Sequence, residues 1–321
     1  MPGRGPMRSA VRVRVSATSA NLGPGFDSLG LALGVYDEVD VRVSAVPGVR
    51  VVVHGEGAGE VSDDERHLVV QALLRGLAAS GCAQPAGLDL VCRNAIPHGR
   101  GLGSSAAAVV AGLAAARGLA GSAVDGGMDD GMDDGMDDGE LLALATAFEG
   151  HPDNAAAALL GGLTIAWTGH DVPRAVRLEP HPALVAQLLV PDTRLATHQA
   201  RSVLPASVSH EDAATNSGRA ALLVHALTSR PDLLLPATED RLHQRQRSAA
   251  MPITLELVQA LRDRGLAAVV SGAGPSVLVL ADRADAEASM ALSSDLAGDE
   301  WRSIAPDLAL AGVVTSPLET P

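Results

Sequence analysis

The segment Pro97–Ala108 constrains this chain more than any other part of its sequence. It follows a strand candidate at 88–92 and leads into an apolar helix candidate at 105–119. Three glycines within five residues allow the backbone to turn tightly, and the following helix adds its unpaired N–H groups and the positive end of its dipole. The sequence therefore predicts an anion site, most naturally for phosphate. The alternative is an ordinary glycine-rich turn with a serine capping the helix.

The composition excludes several classes of mechanism. All 24 basic side chains are arginine, so Walker A, pyridoxal Schiff-base and protein-kinase lysines are all excluded. A net charge of −14 and 2% aromatic residues argue against nucleic-acid binding. Cys82 and Cys92 are too few for a disulfide framework or a four-cysteine zinc site.

Hydropathy predicts a cytoplasmic protein without a membrane anchor. The longest apolar stretches, at 106–116 and 155–167, are shorter than the roughly 20 residues that a bilayer span needs. The first eight residues carry charge without a following apolar core, so no signal peptide is expected.

The order of strand and helix candidates predicts an α+β protein of about two domains. Alternating residues at 11–15 and 37–44 indicate half-buried strands in a first domain, 9–168. In the second domain, 169–321, we expect an antiparallel sheet with helices on one face. Its strand candidates are 184–190, 267–270, 277–281 and 308–314.

An acidic repeat interrupts the first domain. Residues 127–139 contain Met-Asp-Asp-Gly three times, and we place the insertion at 126–139. Calcium loops need a different ligand spacing and a closing glutamate. The composition therefore predicts a solvated, disordered loop between two helices.

Two further glycine-rich segments lie on either side of Pro97–Ala108 in the sequence, one near each end of the chain. The segment 16–30 contains Asn21 and Asp27, and the segment 271–276 precedes a strand candidate. Alone, each predicts only a turn, with Asn and Asp in their usual capping role.

Together with Pro97–Ala108, these segments resemble the three motifs of the GHMP kinase superfamily of small-molecule kinases, in order, spacing and chain length. The resemblance runs from about residue 9 to about residue 317. Four local matches make the chain similar to the members that phosphorylate L-homoserine: 21–30, 148–154, 197–205, and 240–243 followed by Arg247.

The resemblance implies both a fold and a reaction. The fold would pair an N-terminal mixed α+β domain, carrying a left-handed βαβ nucleotide site, with a C-terminal ferredoxin-like α+β domain, and the active site would lie between them. The γ-phosphoryl group of ATP would pass to the side-chain hydroxyl of L-homoserine, giving O-phospho-L-homoserine, a precursor of threonine. Family members are often dimers, so we expect a homodimer.

Residue roles at the nucleotide end are implied by the same resemblance. Ser105 and Glu149 would hold Mg²⁺, and Glu149 would also be a catalytic residue. Without the resemblance, Glu149 would be interpreted as a charge at the end of a helix. The ATP-binding loop would comprise Pro97, His98, Gly99, Arg100, Gly101, Leu102, Gly103, Ser104, Ser105, Ala106 and Ala107.

At the other end, the implied substrate contacts recognise an amino acid. Arg201 and Arg247 would bind its carboxylate, for which a planar guanidinium is suited, although surface ion pairs are the commoner fate of arginine. Arg201 also counts as catalytic, as does Asn154, which would face the reacting hydroxyl. The remaining substrate contacts would be Asn21 and Asp27 near the amino group, Thr197 and Gly272.

Several alternatives stay open. Catalysis by positioning, with the proton passing to a phosphate oxygen, competes with Asp153 as general base. Residues 244–246 lack the Pro and Tyr common there in the family, and the extra Arg245 could compete with Arg247 for the carboxylate. His151 is interpreted as structural. The rival functions are another small-molecule kinase of the superfamily and a non-catalytic nucleotide-binding module.

Overall fold

The computed structural model describes residues 7–121, 136–170 and 172–318. Within these residues the chain forms strands that belong to two sheets. They are β1 (Ala10–Ala20), β2 (Leu29–Ser44), β3 (Gly48–Gly55), β4 (Gly87–Asn94), β5 (Leu163–Gly169), β6 (Val172–Leu178), β7 (Leu184–Pro191), β8 (Ala267–Val270), β9 (Val277–Asp282), β10 (Trp301–Ile304) and β11 (Val314–Pro317).

The α-helices pack on these sheets. They are α1 (Leu68–Ala79), α2 (Ser104–Ala120), α3 (Asp138–Glu149), α4 (Asp153–Leu160), α5 (Thr197–Ser202), α6 (His210–Thr228), α7 (Leu234–Ala237), α8 (Pro252–Asp263) and α9 (Ala286–Ala297). Short 3₁₀ helices span Pro231–Leu233 and Arg245–Arg247. No helix of the described residues is both long and apolar enough to cross a bilayer.

The first sheet has the order β11-β1-β2-β4-β3, and β5 joins β2 to β6. The 16-residue strand β2 makes this possible, because its first residues pair with β5 and its last residues with β4. Strands β3 and β4 run parallel with α1 between them, which gives a βαβ unit. The sheet thus delivers the end of β4 directly to the glycine-rich loop before α2.

The second sheet has the antiparallel order β10-β7-β9-β8. Its elements follow one another as strand, helices, two strands, helix and strand, which is the ferredoxin-like arrangement. The predicted mixed α+β class and the ferredoxin-like second half are therefore confirmed.

The main core lies between the first sheet and α1–α4. Val11, Val13 and Val15 are buried, while Arg12 and Arg14 between them face outward, as the alternating pattern predicts. Helix α2 is buried on nearly all sides, because α1, α3, α4 and β1 pack around it. This fixes the start of α2, where the glycine-rich loop ends.

The strand predicted at 308–314 is wrong. Only Leu308 forms an isolated bridge, and β11 begins at Val314 and pairs with β1 in the first sheet. The intervening backbone is used elsewhere: the N–H of Val313 bonds to the carbonyl oxygens that end α4, at Ala158 and Leu159. Strands β6 and β10 were missed, and the β5–β6 hairpin spans the domain division predicted at 168/169, which stays a prediction.

The acidic insertion is only partly within the described residues, because 122–135 lie outside them. At its end, Met136 is buried, and the Asp137 side chain accepts a hydrogen bond from the N–H of Glu140 at 2.7 Å. Glu140 in turn accepts one from the Asp137 N–H, which completes a capping box for α3. The predicted solvated loop therefore ends before Gly139.

Candidate active site

The loop before α2 is shaped by three left-handed glycines. Gly99, Gly101 and Gly103 have φ angles of 65°, 72° and 68°. A Cβ atom on Gly101 would lie 2.2 Å from the Ser271 carbonyl oxygen, and one on Gly103 would lie 2.0 Å from Thr18 Oγ1. These positions therefore require glycine for two reasons: backbone conformation and lack of space.

The start of α2 carries no side-chain cap. Its N-cap residue is Gly103, which has no side chain to accept a bond from the first turn. The alternative of a serine-capped turn is therefore wrong. The N–H groups at the start of a helix can bind an anion, so the structure leaves the predicted anion site open here.

The three glycine-rich segments meet at this loop. The N–H of Thr18 donates to the Leu102 carbonyl at 3.1 Å, and the Ser271 hydroxyl donates to the Gly101 carbonyl at 2.7 Å. The first and third segments thus hold the second from both sides, although they lie far apart in sequence.

Ser105 and Glu149 come together at the mouth of this loop. Ser105 lies in the first turn of α2, Glu149 ends α3, and the Ser105 hydroxyl donates to Glu149 Oε1 at 2.6 Å. A hydroxyl and a carboxylate are hard oxygen ligands that suit Mg²⁺. Among the described residues, no group of three or more His, Cys, Asp and Glu side chains forms a richer metal site.

Asn154 is held by neighbours on both sides. Thr18 Oγ1 donates to Asn154 Oδ1 at 2.8 Å, and the Asn154 N–H donates to Asp153 Oδ1 at 2.7 Å. Thr18 was missed in the sequence, because a threonine inside a strand gives no local sign of its partner.

Asp153 is itself buried, with 1% of its surface exposed. Its Oδ1 also contacts His151 Nδ1 at 2.8 Å, and this hydrogen bond raises the pKa of His151. Through this one oxygen, Asp153 orients His151 and Asn154.

The opposite end of the site contains two guanidinium groups. Arg201 bonds both oxygens of Asp27, at 2.5 and 3.1 Å. Arg247 is 1% exposed and donates to the carbonyl oxygens of Ala200 and Gly272, at 3.1 and 3.2 Å. Burial and the nearby Arg201 lower the pKa of Arg247 to about 10, so it keeps its charge at neutral pH.

The choice between Arg245 and Arg247 is decided by burial. Arg245 is exposed, whereas Arg247 lines the cavity beside Arg201. The Phe26 ring lies between the two cavity arginines, with its centroid 5.6 Å from each guanidinium carbon. Arg245 is therefore not a carboxylate ligand in this geometry.

Asn21 shapes the loop that presents Asp27. Both residues have positive φ angles, 68° and 55°, which Asn and Asp tolerate better than most residues. The Asn21 amide accepts a bond from the Asp27 N–H at 2.9 Å and donates to the Gly272 carbonyl at 2.8 Å. Its amide group is thus placed to position Asp27 and Gly272.

A cavity of about 150 Å³ joins the two ends. It is lined by the predicted residues Asn21, Gly99, Glu149, Asn154, Thr197, Arg201, Arg247, Gly272 and 101–105, and by His151, Asp153, Leu195, Ala196 and Ala273. Asp27 reaches it through Arg201.

A second cavity, of about 410 Å³, shares Ser104 and Ser105 with the first. Its walls combine apolar residues of β1, β2 and α2 with His98, Ala107 and the segment 60–69. Of the predicted loop residues, Pro97, Arg100 and Ala106 line neither cavity, and Arg100 instead donates to the Pro191 carbonyl at 2.8 Å. The sequence did not predict this cavity, because its lining comes from four separate segments.

Asp37 lies at the back of the second cavity. Its Oδ1 accepts bonds from the N–H groups of Ala95 and Ile96, at 2.7 and 2.9 Å. Burial raises the pKa of Asp37 to about 6, although these two bonds oppose the shift. The carboxyl thereby ties β2 to the backbone that enters the glycine-rich loop.

This fold and this arrangement of residues are typical of one class of small-molecule kinases, and comparison with known protein families identifies the same class. The family model for the GHMP kinases N terminal domain matches residues 67–162, and that for the GHMP kinases C terminal domain matches 218–291. The chain belongs to the GHMP kinase family.

Within that family, the chain is similar to homoserine kinases. It is 52% identical to the homoserine kinase of Streptomyces avermitilis, over 97% of each chain. It is 51% identical to that of Streptomyces coelicolor, over 97% of this chain and 96% of the relative. The crystal structure of homoserine kinase from Cytophaga hutchinsonii matches with a TM-score of 0.80 at 27% identity, covering 97% of this chain and 98% of that one.

Proposed function

We propose that this chain transfers the γ-phosphoryl group of ATP to the side-chain hydroxyl of L-homoserine, giving O-phospho-L-homoserine and ADP. The observation that carries this function is the single cavity that joins an uncapped helix N-terminus to Asn154 and to two arginines. Phosphoryl transfer requires mainly positioning and charge neutralisation, and the cavity supplies both.

At the phosphate end, the backbone N–H groups of the loop and of the first turn of α2 bind the triphosphate. The nucleoside occupies the second cavity, because this cavity opens at Ser104 and Ser105, where the first cavity begins. No lysine is needed, since converging N–H groups and the helix dipole replace its charge.

Ser105 and Glu149 would hold Mg²⁺ at the mouth of the loop, 2.6 Å from each other in the present arrangement. When bound, the ion neutralises charge on the phosphate oxygens. Two protein ligands are enough, because Mg²⁺ usually takes its other ligands from phosphates and water.

At the amino-acid end, Arg201 and Arg247 bind the carboxylate and Asp27 binds the ammonium group of homoserine. Thr197 lies on the same short helix as Arg201, and both line the cavity. These charges place the side-chain hydroxyl toward Asn154 and the phosphate loop.

The hydroxyl proton passes to a phosphate oxygen. Asp153 is the alternative acceptor, but Oδ1 of its buried carboxylate already accepts bonds from His151 and Asn154. In this proposal Asp153 is a positioning residue, and Asn154 orients the hydroxyl for attack on the γ-phosphorus.

An assay that couples ADP release to NADH oxidation tests this function, with L-homoserine, L-serine and mevalonate as acceptors. We expect kcat/KM for homoserine to exceed that for mevalonate at least 10³-fold, because mevalonate lacks the ammonium group that pairs with Asp27. Phosphorus NMR of the product should show an O-phosphomonoester of homoserine.

Two results would favour the rival functions. Efficient turnover of mevalonate would indicate another small-molecule kinase of the family. Binding of ATP without turnover of any amino-acid alcohol would indicate a non-catalytic module. The predicted homodimer is tested separately, by sedimentation velocity.

A further inference from the structure

Asp27 and Arg201, the two groups that we propose bind opposite charges of the amino acid, form an ion pair with each other. Two bonds join the side chains, at 2.5 and 3.1 Å, and about a third of each side chain remains exposed. Arg201 lines the cavity where the substrate carboxylate is expected, and its Nε is buried without a hydrogen-bond partner among the described residues. The guanidinium is therefore occupied before any substrate arrives.

We propose that Asp27 determines specificity by competing for Arg201, in addition to binding the substrate's ammonium group, so that the site rejects hydroxy acids that lack this group. This inference rests on the proposed function, because it assumes that Arg201 binds the carboxylate of the substrate.

The charges of the ligand decide whether the internal ion pair can be replaced. An amino acid brings one ammonium and one carboxylate, so it can replace the internal pair by two new pairs, one with Asp27 and one with Arg201. A hydroxy acid must take Arg201 from Asp27 and leave that carboxylate without a cation. A half-buried charge that loses its hydrogen-bonded partner is costly, so the second exchange is unfavourable.

Arg247 relieves this cost for Asp27 only in part: the charge of Asp27 favours the Arg247 cation, but no hydrogen bond joins the two side chains among the described residues. The Nε and Nη1 of Arg247 are committed to the carbonyl oxygens of Ala200 and Gly272 and to the His243 ring. The two guanidinium groups also repel each other, since Arg201 contributes to the lowered pKa of Arg247. Removing the charge of Asp27 would therefore leave two neighbouring cations with a higher affinity for a lone carboxylate.

The two possible roles of Asp27 predict different affinities for a ligand without an amino group when Asp27 is removed. If Asp27 only bound the ammonium group, its removal would raise the affinity for such a ligand less than about fivefold, through the loss of a partly exposed negative charge alone. If Asp27 also competes for Arg201, its removal increases that affinity by more than this.

The test uses Asp27→Asn and two ligands, L-homoserine and 4-hydroxybutyrate, which is homoserine without its amino group. Isothermal titration calorimetry on the full chain should show homoserine affinity falling at least 100-fold and 4-hydroxybutyrate affinity rising at least fivefold. Asp27→Gly is the second variant, because glycine also tolerates the positive φ of this position and retains no side-chain acceptor for Arg201.

The matched control is Asp232→Asn, which removes the same charge from an exposed pair with Arg230. This variant should bind both ligands as the unaltered chain does, within twofold.

The inference is overturned if neither Asp27 variant, natively folded by circular dichroism, binds 4-hydroxybutyrate at least about fivefold more tightly than the unaltered chain does. That result is distinct from failure of the proposed function, which would appear as an unaltered chain that does not phosphorylate homoserine. The calorimetric comparison reports on Arg201 in either case.

Discussion

The two ends of the cavity are built from different materials. The end that we propose to bind phosphate consists of backbone: left-handed glycines and the N–H groups at the start of α2. The amino-acid end consists of charged side chains, namely Asp27, Arg201 and Arg247. The first end does not depend on any positively charged side chain, whereas the second depends on individual charged side chains.

This difference separates the ways in which the two ends can fail. A binding site made of backbone groups is altered only when an added atom displaces the backbone. Substitutions of its glycines should therefore have the largest effect on binding. A side-chain site loses a defined interaction when one group is removed. The substitutions below separate these two behaviours, beginning with the largest expected effect.

Arg201→Gln should lower kcat/KM for homoserine about 10³-fold and leave KM for ATP within about twofold. Truncating one partner of a hydrogen-bonded charge pair costs roughly 2–5 kcal/mol, and about 4 kcal/mol corresponds to this factor. Steady-state kinetics with each substrate varied in turn measures both values. Arg230→Gln, in an exposed pair, is the control. A weakening of about 10³-fold in the KM for ATP as well would show that the two ends of the cavity are not independent.

Gly103→Ala should lower kcat/KM for ATP about 100-fold. The added Cβ would meet Thr18 Oγ1 at 2.0 Å and Asn154 Oδ1 at 3.0 Å, at a φ of 68°. Left-handed strain and overpacking together cost about 2–3 kcal/mol. Gly265→Ala has a similar φ, 84°, with open space around the Cβ, so it should reduce stability only. If the two variants lose activity equally, close approach at the loop is not the cause.

Asp37→Asn tests a buried carboxyl that holds the backbone leading into the glycine-rich loop. In the folded state the pKa of Asp37 is about 6, above its ordinary 3.8, so folding favours the protonated form. Its contribution to stability is therefore present at low pH and is lost as the pH rises from about 4 to about 6.

Urea unfolding of both proteins at pH 4.5 and pH 7 measures this effect. Between these values, the stability of the Asn variant relative to the unaltered chain should rise by about 2 kcal/mol, since each pKa unit corresponds to about 1.36 kcal/mol. A difference that does not change with pH would contradict the burial of a titrating carboxyl there.

Asp153→Asn, at the junction of the two ends, should lower kcat less than about tenfold. A general base contributes about 10²–10⁴-fold, and we assign Asp153 to positioning instead. The pH profile of kcat should keep its shape. A loss of 100-fold or more in a variant with an unaltered unfolding curve would instead identify Asp153 as the base.

Much of the fold followed from local patterns. Alternating valines identified β1, and the ferredoxin-like second half followed from the family resemblance. The strand predicted at 308–314 failed although its residues are apolar enough for a strand, because its N–H groups bond to different elements: that of Ala309 to β2 and that of Val313 to the end of α4. Apolar character alone does not specify a hydrogen-bond partner.

In the candidate site, the sequence predicted segments better than contacts. It singled out Ser105, Glu149 and Arg201, and the structure brings them to one cavity. It missed Thr18 and Asp37, because each acts through a partner distant in the chain. Such partners leave no spacing that a single sequence can reveal.

The sequence by itself determined the parts that depend on local backbone chemistry: the glycine-rich loop, the helix after it and the absence of any lysine. Tertiary structure alone decided which charges face one another, including the pairing of Asp27 with Arg201 and the burial of Arg247 rather than Arg245. The physical reason is range. Backbone conformation is set by neighbouring residues, whereas a charge pair requires two side chains that only the packed fold brings within 3 Å.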